Sequence, residues 1–235
     1  TFTTSLLAVL NEKKVLSLND KVGKFRPDWS FAKNFTLGQL ASHTSGLPAN
    51  PFKLSELIGP KSIDKVLSFN HENYEAYLAN ITKVSRPRTP KYSNLGMALL
   101  GNILADSLNL TYEQAVKELL LEPLGMLDTH ATANKYDACR MAKGYSAGGK
   151  SVPYLIWESM EPAGIWFSTA QDLMVFLKAH LGYAGDNWCD VLRSTTQPLS
   201  DEPKLNTFGL GWVLEEVDEI GPVIWHNGAT FGQYS

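Results

Sequence analysis

The chain has 235 residues, 44% of them hydrophobic and 11% aromatic, with a formal net charge of −3. That length holds one large domain or two smaller ones, and that composition packs a core. The charge balance excludes the concentrated basic face that nucleic acids require, and no apolar run approaches the ~20 residues that span a bilayer. Cys139 and Cys189 are too few for a disulfide framework or a close-spaced zinc site. One disulfide in an oxidising compartment and two separate thiols both stay open.

Residues 1–10 place Phe2, Leu6, Val9 and Leu10 on one helical stripe. Thr36-Leu37-Gly38-Gln39 is a capping-box pattern that opens a short helix to Ser42, and His43-Thr44-Ser45-Gly46-Leu47-Pro48 follows as a loop. A helix is expected over residues 70–81. Pro87 and Pro90 then force extended chain into Tyr92-Ser93-Asn94. The nearby cations Lys83, Arg86, Arg88 and Lys91 read as a solvated loop. Residues 95–108 are the clearest amphipathic helix, with Leu95, Leu99, Leu100, Ile103 and Leu104 at helical spacing.

Thr111-Tyr112-Glu113-Gln114 caps a helix to Leu121, closed by Pro123 and Gly125. Residues 144–153 read as turns and short strands around Tyr145. Ser168-Thr169-Ala170-Gln171 starts another helix, whose expected buried face is Leu173, Phe176, Leu177 and Leu181. Residues 208–214 and 222–226 alternate like paired strands and lead to His226-Asn227-Gly228, and residues 231–235 read as the start of a further strand. The expected division is a mostly helical region, residues 1–160, and a partial α/β region, residues 161–235.

These landmarks, in this order, resemble the serine β-lactamase-related hydrolases of the class C β-lactamase, DD-carboxypeptidase and esterase branch. The resemblance rests on the His43–Pro48 loop, on Tyr92-Ser93-Asn94 as a Tyr-x-Asn element, and on Glu122-Pro123-Leu124-Gly125-Met126. It also rests on Phe167-Ser168-Thr169-Ala170-Gln171-Asp172-Leu173 and Phe208-Gly209-Leu210-Gly211-Trp212. It covers nearly the whole chain. It implies an α/β (α+β) fold with a helical region and an antiparallel sheet flanked by helices. It also implies a periplasmic or extracellular location, a small-molecule or peptide substrate, and neither cofactor nor metal. A Ser-x-x-Lys segment should precede Thr1, with its lysine adjacent to Thr1, and a strand and a helix should follow Ser235. The chain is thus expected to be clipped at both ends and inactive by itself, with its sheet incomplete.

Acyl transfer needs a nucleophile, a base, a proton shuttle and an oxyanion site. The resemblance assigns catalytic roles to Tyr92, as the proton shuttle beside the lysine, and to Asn94, which bonds the lysine or a substrate carbonyl. His226, Asn227 and Gly228 are the expected substrate-binding residues, with Gly228 allowing close backbone approach. Class C β-lactamases have Lys-Thr-Gly at this place; a neutral histidine carries less charge near pH 7, which tilts the expectation toward peptidase or esterase. His43 is expected to be structural. His71, His130 and His180 lack partners at metal-ligand spacing.

Two internal Ser-x-x-Lys matches, Ser30/Lys33 and Ser62/Lys65, are rejected. The first lies in a loop-like stretch; the second follows Gly59-Pro60, after the His43 loop rather than before it. Glu158 and Glu161, near Trp157 and Trp166, could be a glycosidase pair but read better as loop residues beside an aromatic cleft wall. Substrates left open are D-Ala-D-Ala-type peptides, β-lactams and small esters. The alternative function is a non-catalytic penicillin-binding-fold protein that binds a peptide or a partner.

Overall fold

Helix α1 (Phe2–Glu12) is buried from Phe2 to Leu10 around its whole circumference, more than the single apolar stripe read from the sequence, and the burial takes in Thr3, Thr4 and Ser5. Its three buried hydroxyl residues are all satisfied. Thr3 Oγ1 donates to Pro162 O (2.6 Å) and bonds the Tyr112 hydroxyl (2.6 Å), Thr4 Oγ1 donates to Thr1 O (2.8 Å), and Ser5 Oγ bonds His180 Nε2 (3.0 Å). The structure is a computed structural model that describes residues 1–53, 62–84, 87, 89–131, 139–183, 185–199 and 207–235. Gly59, Pro60, Arg86 and Arg88 lie outside the described residues, as do the side chains of Ser62, Glu158 and Cys189.

Around α1 the local signals act as their chemistry dictates. Thr36 Oγ1 accepts from Gln39 N and Gln39 Oε1 accepts from Thr36 N, opening α2 (Leu37–Ala41). Helix α3 covers Ser62–Leu67. Asn70 and Asn73 form a second reciprocal cap on α4 (His71–Ala79). Helix α5 (Asn94–Leu108) buries its apolar residues from Leu95 to Ala105 and stops at Asn109, which takes the left-handed conformation at φ 55°. Thr111 and Gln114 cap α6 (Tyr112–Val116), which continues through a π-helical turn, Lys117–Leu121, into α7 (Glu122–Leu124). The helix thus runs past Leu121, carrying Pro123 in its last turn, and ends at Gly125 (φ 75°).

Strands β1 (Gly144–Tyr145) and β2 (Ser151–Val152) form a small antiparallel pair. The 3₁₀ segment Glu158–Ala163 packs against α5 at Gly101, where an added Cβ would lie 2.2 Å from the Pro162 Cβ. Thr169 caps α8 (Ala170–His180), and α9 (Asp186–Ser194) packs against both α8 and α1.

The buried face of α8 differs from the sequence expectation. Phe176 is buried as expected, but Leu173, Leu177 and Leu181 are 38%, 42% and 59% exposed. The stripe turned inward is Asp172, Phe176, Ala179 and His180. Polar groups can occupy it because each finds a partner: Asp172 Oδ2 accepts from Asp128 N (2.9 Å) and Thr129 Oγ1 (2.7 Å), and His180 bonds Ser5.

The paired strands also differ in position. Strand β3 is Val213–Val217, antiparallel to β4 (Gly221–Trp225), with Val213 opposite Trp225 and Val217 opposite Gly221. Gly211, at φ 72°, turns the chain ahead of β3, so only Val213 and Leu214 of the expected first strand are in it. After β4 the chain folds back on itself: Gly228 and Ser235 exchange two backbone hydrogen bonds, at 2.9 and 3.0 Å. Among the described residues no helix is long and apolar enough to cross a membrane.

Candidate active site

The N-terminus of α5 sets one wall. Ser93 caps it, its Oγ accepting from Gly96 N (2.8 Å) while donating to Pro48 O (2.6 Å). One hydroxyl therefore ties the helix start to the loop that begins at His43. Tyr92, the residue before the cap, is 42% exposed. Asn94, the first helical residue, donates from Nδ2 to Asn50 Oδ1 (2.9 Å).

His226 follows directly on β4, and its ring centroid lies 6.1 Å from that of Tyr92. Tyr92, Asn94, His226, Asn227 and Gly228 border one cavity of about 880 Å³. The five predicted site residues are thus brought together from two distant parts of the sequence. The first turn of α1 borders the same cavity through Thr1, Phe2 and Thr3.

A third wall joins residues 162–169 to residues 128–130. His130 and Phe167 exchange backbone hydrogen bonds at 2.9 and 2.8 Å, Thr129 Oγ1 bonds Ser168 Oγ (2.8 Å), and the Asp172 carboxylate holds residues 128 and 129 from beneath. Asp128 and Arg140 form an exposed ion pair at 2.6 Å on the cavity border. Trp166 lines the cavity, as the aromatic cleft wall inferred from sequence requires. Trp157 does not; it stacks on Phe52 (5.9 Å).

Gln233 and Trp212 also line the cavity, each with a buried nitrogen that has no hydrogen-bond partner among the described residues. Sequence reasoning missed Gln233 because the fold-back of residues 228–235 leaves no local pattern. Trp212 was visible only as a landmark.

Around Tyr92 and His226 the groups are neutral, the Asp128–Arg140 pair being the charged part of the border. Burial pushes the His226 imidazole down to about 4, and a backbone hydrogen bond at Asn227 partly opposes it. Burial raises the Tyr92 phenol above its ordinary value. Among the described residues no group of three or more His, Cys, Asp or Glu side chains gathers to hold a metal. Cys139 is exposed.

The architecture superposes on the beta-lactamase/D-alanine carboxypeptidase from Pseudomonas syringae with a TM-score of 0.76 over 98% of this chain and 71% of that one, at 18% identity, a likeness of fold. A sequence model of the beta-lactamase family matches residues 1–235, and the chain belongs to that family. It is 31% identical over 199 residues to beta-lactamase-like protein 2 of Dictyostelium discoideum, covering 75% of this chain and 33% of the relative. It is 27% identical over 258 residues to penicillin-binding protein 4 of Amycolatopsis lactamdurans, covering 100% and 65% respectively. The chain thus spans between a third and two thirds of these two curated relatives.

Proposed function

We propose that the cavity is the acyl-transfer site of a serine hydrolase, periplasmic or extracellular, acting on D-Ala-D-Ala-type peptides, β-lactams or small esters. A serine hydroxyl attacks the substrate carbonyl, and its proton passes through Tyr92 and a lysine to the leaving group. Water then attacks the acyl ester and releases the acid, regenerating the hydroxyl. Asn94 orients the lysine and the substrate carbonyl, and His226, Asn227 and Gly228 line the opposite wall. The observation that carries this reading is the convergence of Tyr92, Asn94 and His226 on a cavity that the first turn of α1 also borders. A serine–lysine pair one helical turn apart, leading into Thr1, would enter that space.

The Tyr-Ser-Asn and His-x-Gly elements tilt this reading toward peptides and esters over β-lactams, since class C β-lactamases have Lys-Thr-Gly where His226-Asn227-Gly228 stands. The relatives of similar sequence and fold include β-lactamases, a penicillin-binding protein and a beta-lactamase/D-alanine carboxypeptidase, and so support the substrate group as a whole. A second reading, binding without chemistry, has one observation in its favour. Ser168, which borders the cavity, bonds Thr129 and is followed by no lysine at helical spacing.

The test compares the 235-residue chain with one carrying a Ser-x-x-Lys segment joined to Thr1. Fluorescent penicillin and p-nitrophenyl acetate are the probes. The extended chain should become labelled or hydrolyse the ester, and should lose this with Tyr92→Phe; the 235-residue chain should not react. Labelling of the 235-residue chain overturns the placement of the nucleophile, and Ser62→Ala is then the first variant to examine. Ligand binding by both chains with reaction by neither supports the binding protein instead.

A further inference from the structure

His43 makes contacts that a loop residue serving only to join α2 to the core does not need. Its backbone is left-handed, at φ 57°, a conformation uncommon outside glycine and costly unless the surroundings hold it. What holds it is the chain on both sides of Tyr92. Lys91 N donates to His43 O at 2.8 Å, and Ser93 N donates to His43 Nδ1 at 3.1 Å. The imidazole then lies against the Tyr92 ring, centroids 4.4 Å apart, with Phe208 edge-on behind it at 5.1 Å.

The direction of the Ser93 bond fixes the tautomer. A backbone N–H can only donate, so Nδ1 is the acceptor and the proton of the neutral imidazole sits on Nε2. That Nε2 is buried and has no hydrogen-bond partner among the described residues. The residue is 1% exposed, and burial lowers its pKa to about 3. The ring therefore stays neutral and keeps its acceptor toward Ser93. An apolar residue would avoid an orphaned donor, so the observed arrangement gives up one hydrogen bond while keeping the grip on residue 93.

We infer that His43 is the positioning residue for Tyr92: its carbonyl oxygen and Nδ1 clamp the backbone on either side, and its ring sets the plane of the phenol at the cavity wall. The consequence for catalysis rests on the role proposed above for Tyr92, whereas the clamp itself does not.

The experiment uses the 235-residue chain labelled with ¹³Cζ-tyrosine, the Tyr92 signal being identified through Tyr92→Phe, together with amide hydrogen exchange at Ser93. His43→Gly suits the left-handed backbone but removes both ring and acceptor. His43→Phe keeps a ring without the acceptor, and His43→Asn tolerates the backbone and offers an oxygen at the same reach as Nδ1. Ser93 exchange should accelerate roughly tenfold in the glycine and phenylalanine variants, the effect of losing one buried hydrogen bond, and return close to the parent rate in the asparagine variant. The Tyr92 signal should move and broaden in the first two and be restored at least in part in the third. Should the phenylalanine variant not fold, the glycine and asparagine pair decides. Parent-like Ser93 exchange in the glycine variant, or an asparagine variant no better than glycine, overturns the inference. Failure of the acyl-transfer reading would look different: an unreactive extended chain in which Ser93 protection still depends on His43.

Discussion

The Tyr92 ring neighbours two imidazoles, His43 at 4.4 Å and His226 at 6.1 Å, measured between ring centroids. Both are held neutral by burial, with pKa values pushed to about 3 and about 4. At His226 a carboxylate-bearing ligand meets a neutral hydrogen-bonding ring rather than a cation. His226→Lys supplies the missing charge, and a charge-assisted hydrogen bond is stronger than a neutral one by ~1 kcal/mol or more. The expected result is a gain of roughly fivefold to tenfold in affinity for acetyl-D-Ala-D-Ala at pH 7 by calorimetry, shrinking in high salt. An unchanged affinity would place the ligand carboxylate away from His226.

Acid should destabilise the fold through its buried histidines. His43, His180 and His226 have folded pKa values of about 3, 4 and 4, all lowered chiefly by burial, against an ordinary value near 6.5. Above that value both folded and unfolded chains carry neutral rings, so the stabilisation is fully present. As pH falls the unfolded chain takes up protons that the folded chain refuses, and the contribution is lost progressively down to the folded values. The slope is at most ~1.4 kcal/mol per pH unit for each ring. Melting followed by circular dichroism at pH 7, 6 and 5 should show a falling Tm. His180→Gln should melt lower than the parent at pH 7 yet show a shallower pH dependence. A Tm that rises on acidification would be incompatible with neutral burial.

Local chemistry made much of this legible in the sequence. Capping boxes at Thr36 and Thr111 and the spacing of Leu95, Leu99 and Ile103 are patterns within one or two helical turns, and they fold as written. The Tyr92 and His226 motifs were each visible, although their meeting depends on packing between distant segments. What escaped was set by partners far along the chain. Leu173 and Leu177 have helical spacing but face the cavity, because Asp172 and His180 find buried partners in Thr129 and Ser5. The clamp at His43 escaped for the same reason: a hydrogen bond across 50 positions leaves no periodic trace.

Ser5 and His180 share the hydrogen bond of a nucleophile and its base, but the burial of both, at 0% and 3% exposed, argues against that role. His180 Nδ1 lies 2.8 Å from Phe176 O, and since a carbonyl only accepts, Nε2 is left to accept the Ser5 proton. A fluorophosphonate should leave Ser5 unmodified in the folded chain. Ser5→Ala strands the imidazole acceptor at a cost of ~1–3 kcal/mol, equivalent to a fall in Tm of roughly 2–10 °C for a chain of this size. Ligand affinity at the cavity should not change. Modification of Ser5 detected by peptide mass analysis would reject the assignment of this pair to the core.

The contact between Gly101 and Pro162 can be tested through rescue. A Cβ at residue 101 would lie 2.2 Å from the Pro162 Cβ, 2.5 Å from its Cγ and 3.1 Å from Tyr112 Cε2, far inside the ~3.5–4.0 Å at which carbon atoms rest. Two effects of Gly101→Ala compete. Alanine favours a helix interior over glycine by ~1 kcal/mol, and overpacking costs ~1–3 kcal/mol. The clash should win, because the obstructing atoms belong to a proline ring inside the segment Glu158–Ala163 rather than to the end of a flexible side chain. The expected outcome is a lower Tm. Ligand binding should weaken as well, since Pro162, Ala163 and Gly164 border the cavity. Pro162→Gly added to Gly101→Ala removes both the Cβ and the Cγ, so Tm and affinity should recover in part. Loss of stability with no recovery in the double variant would locate the conflict at Tyr112 instead.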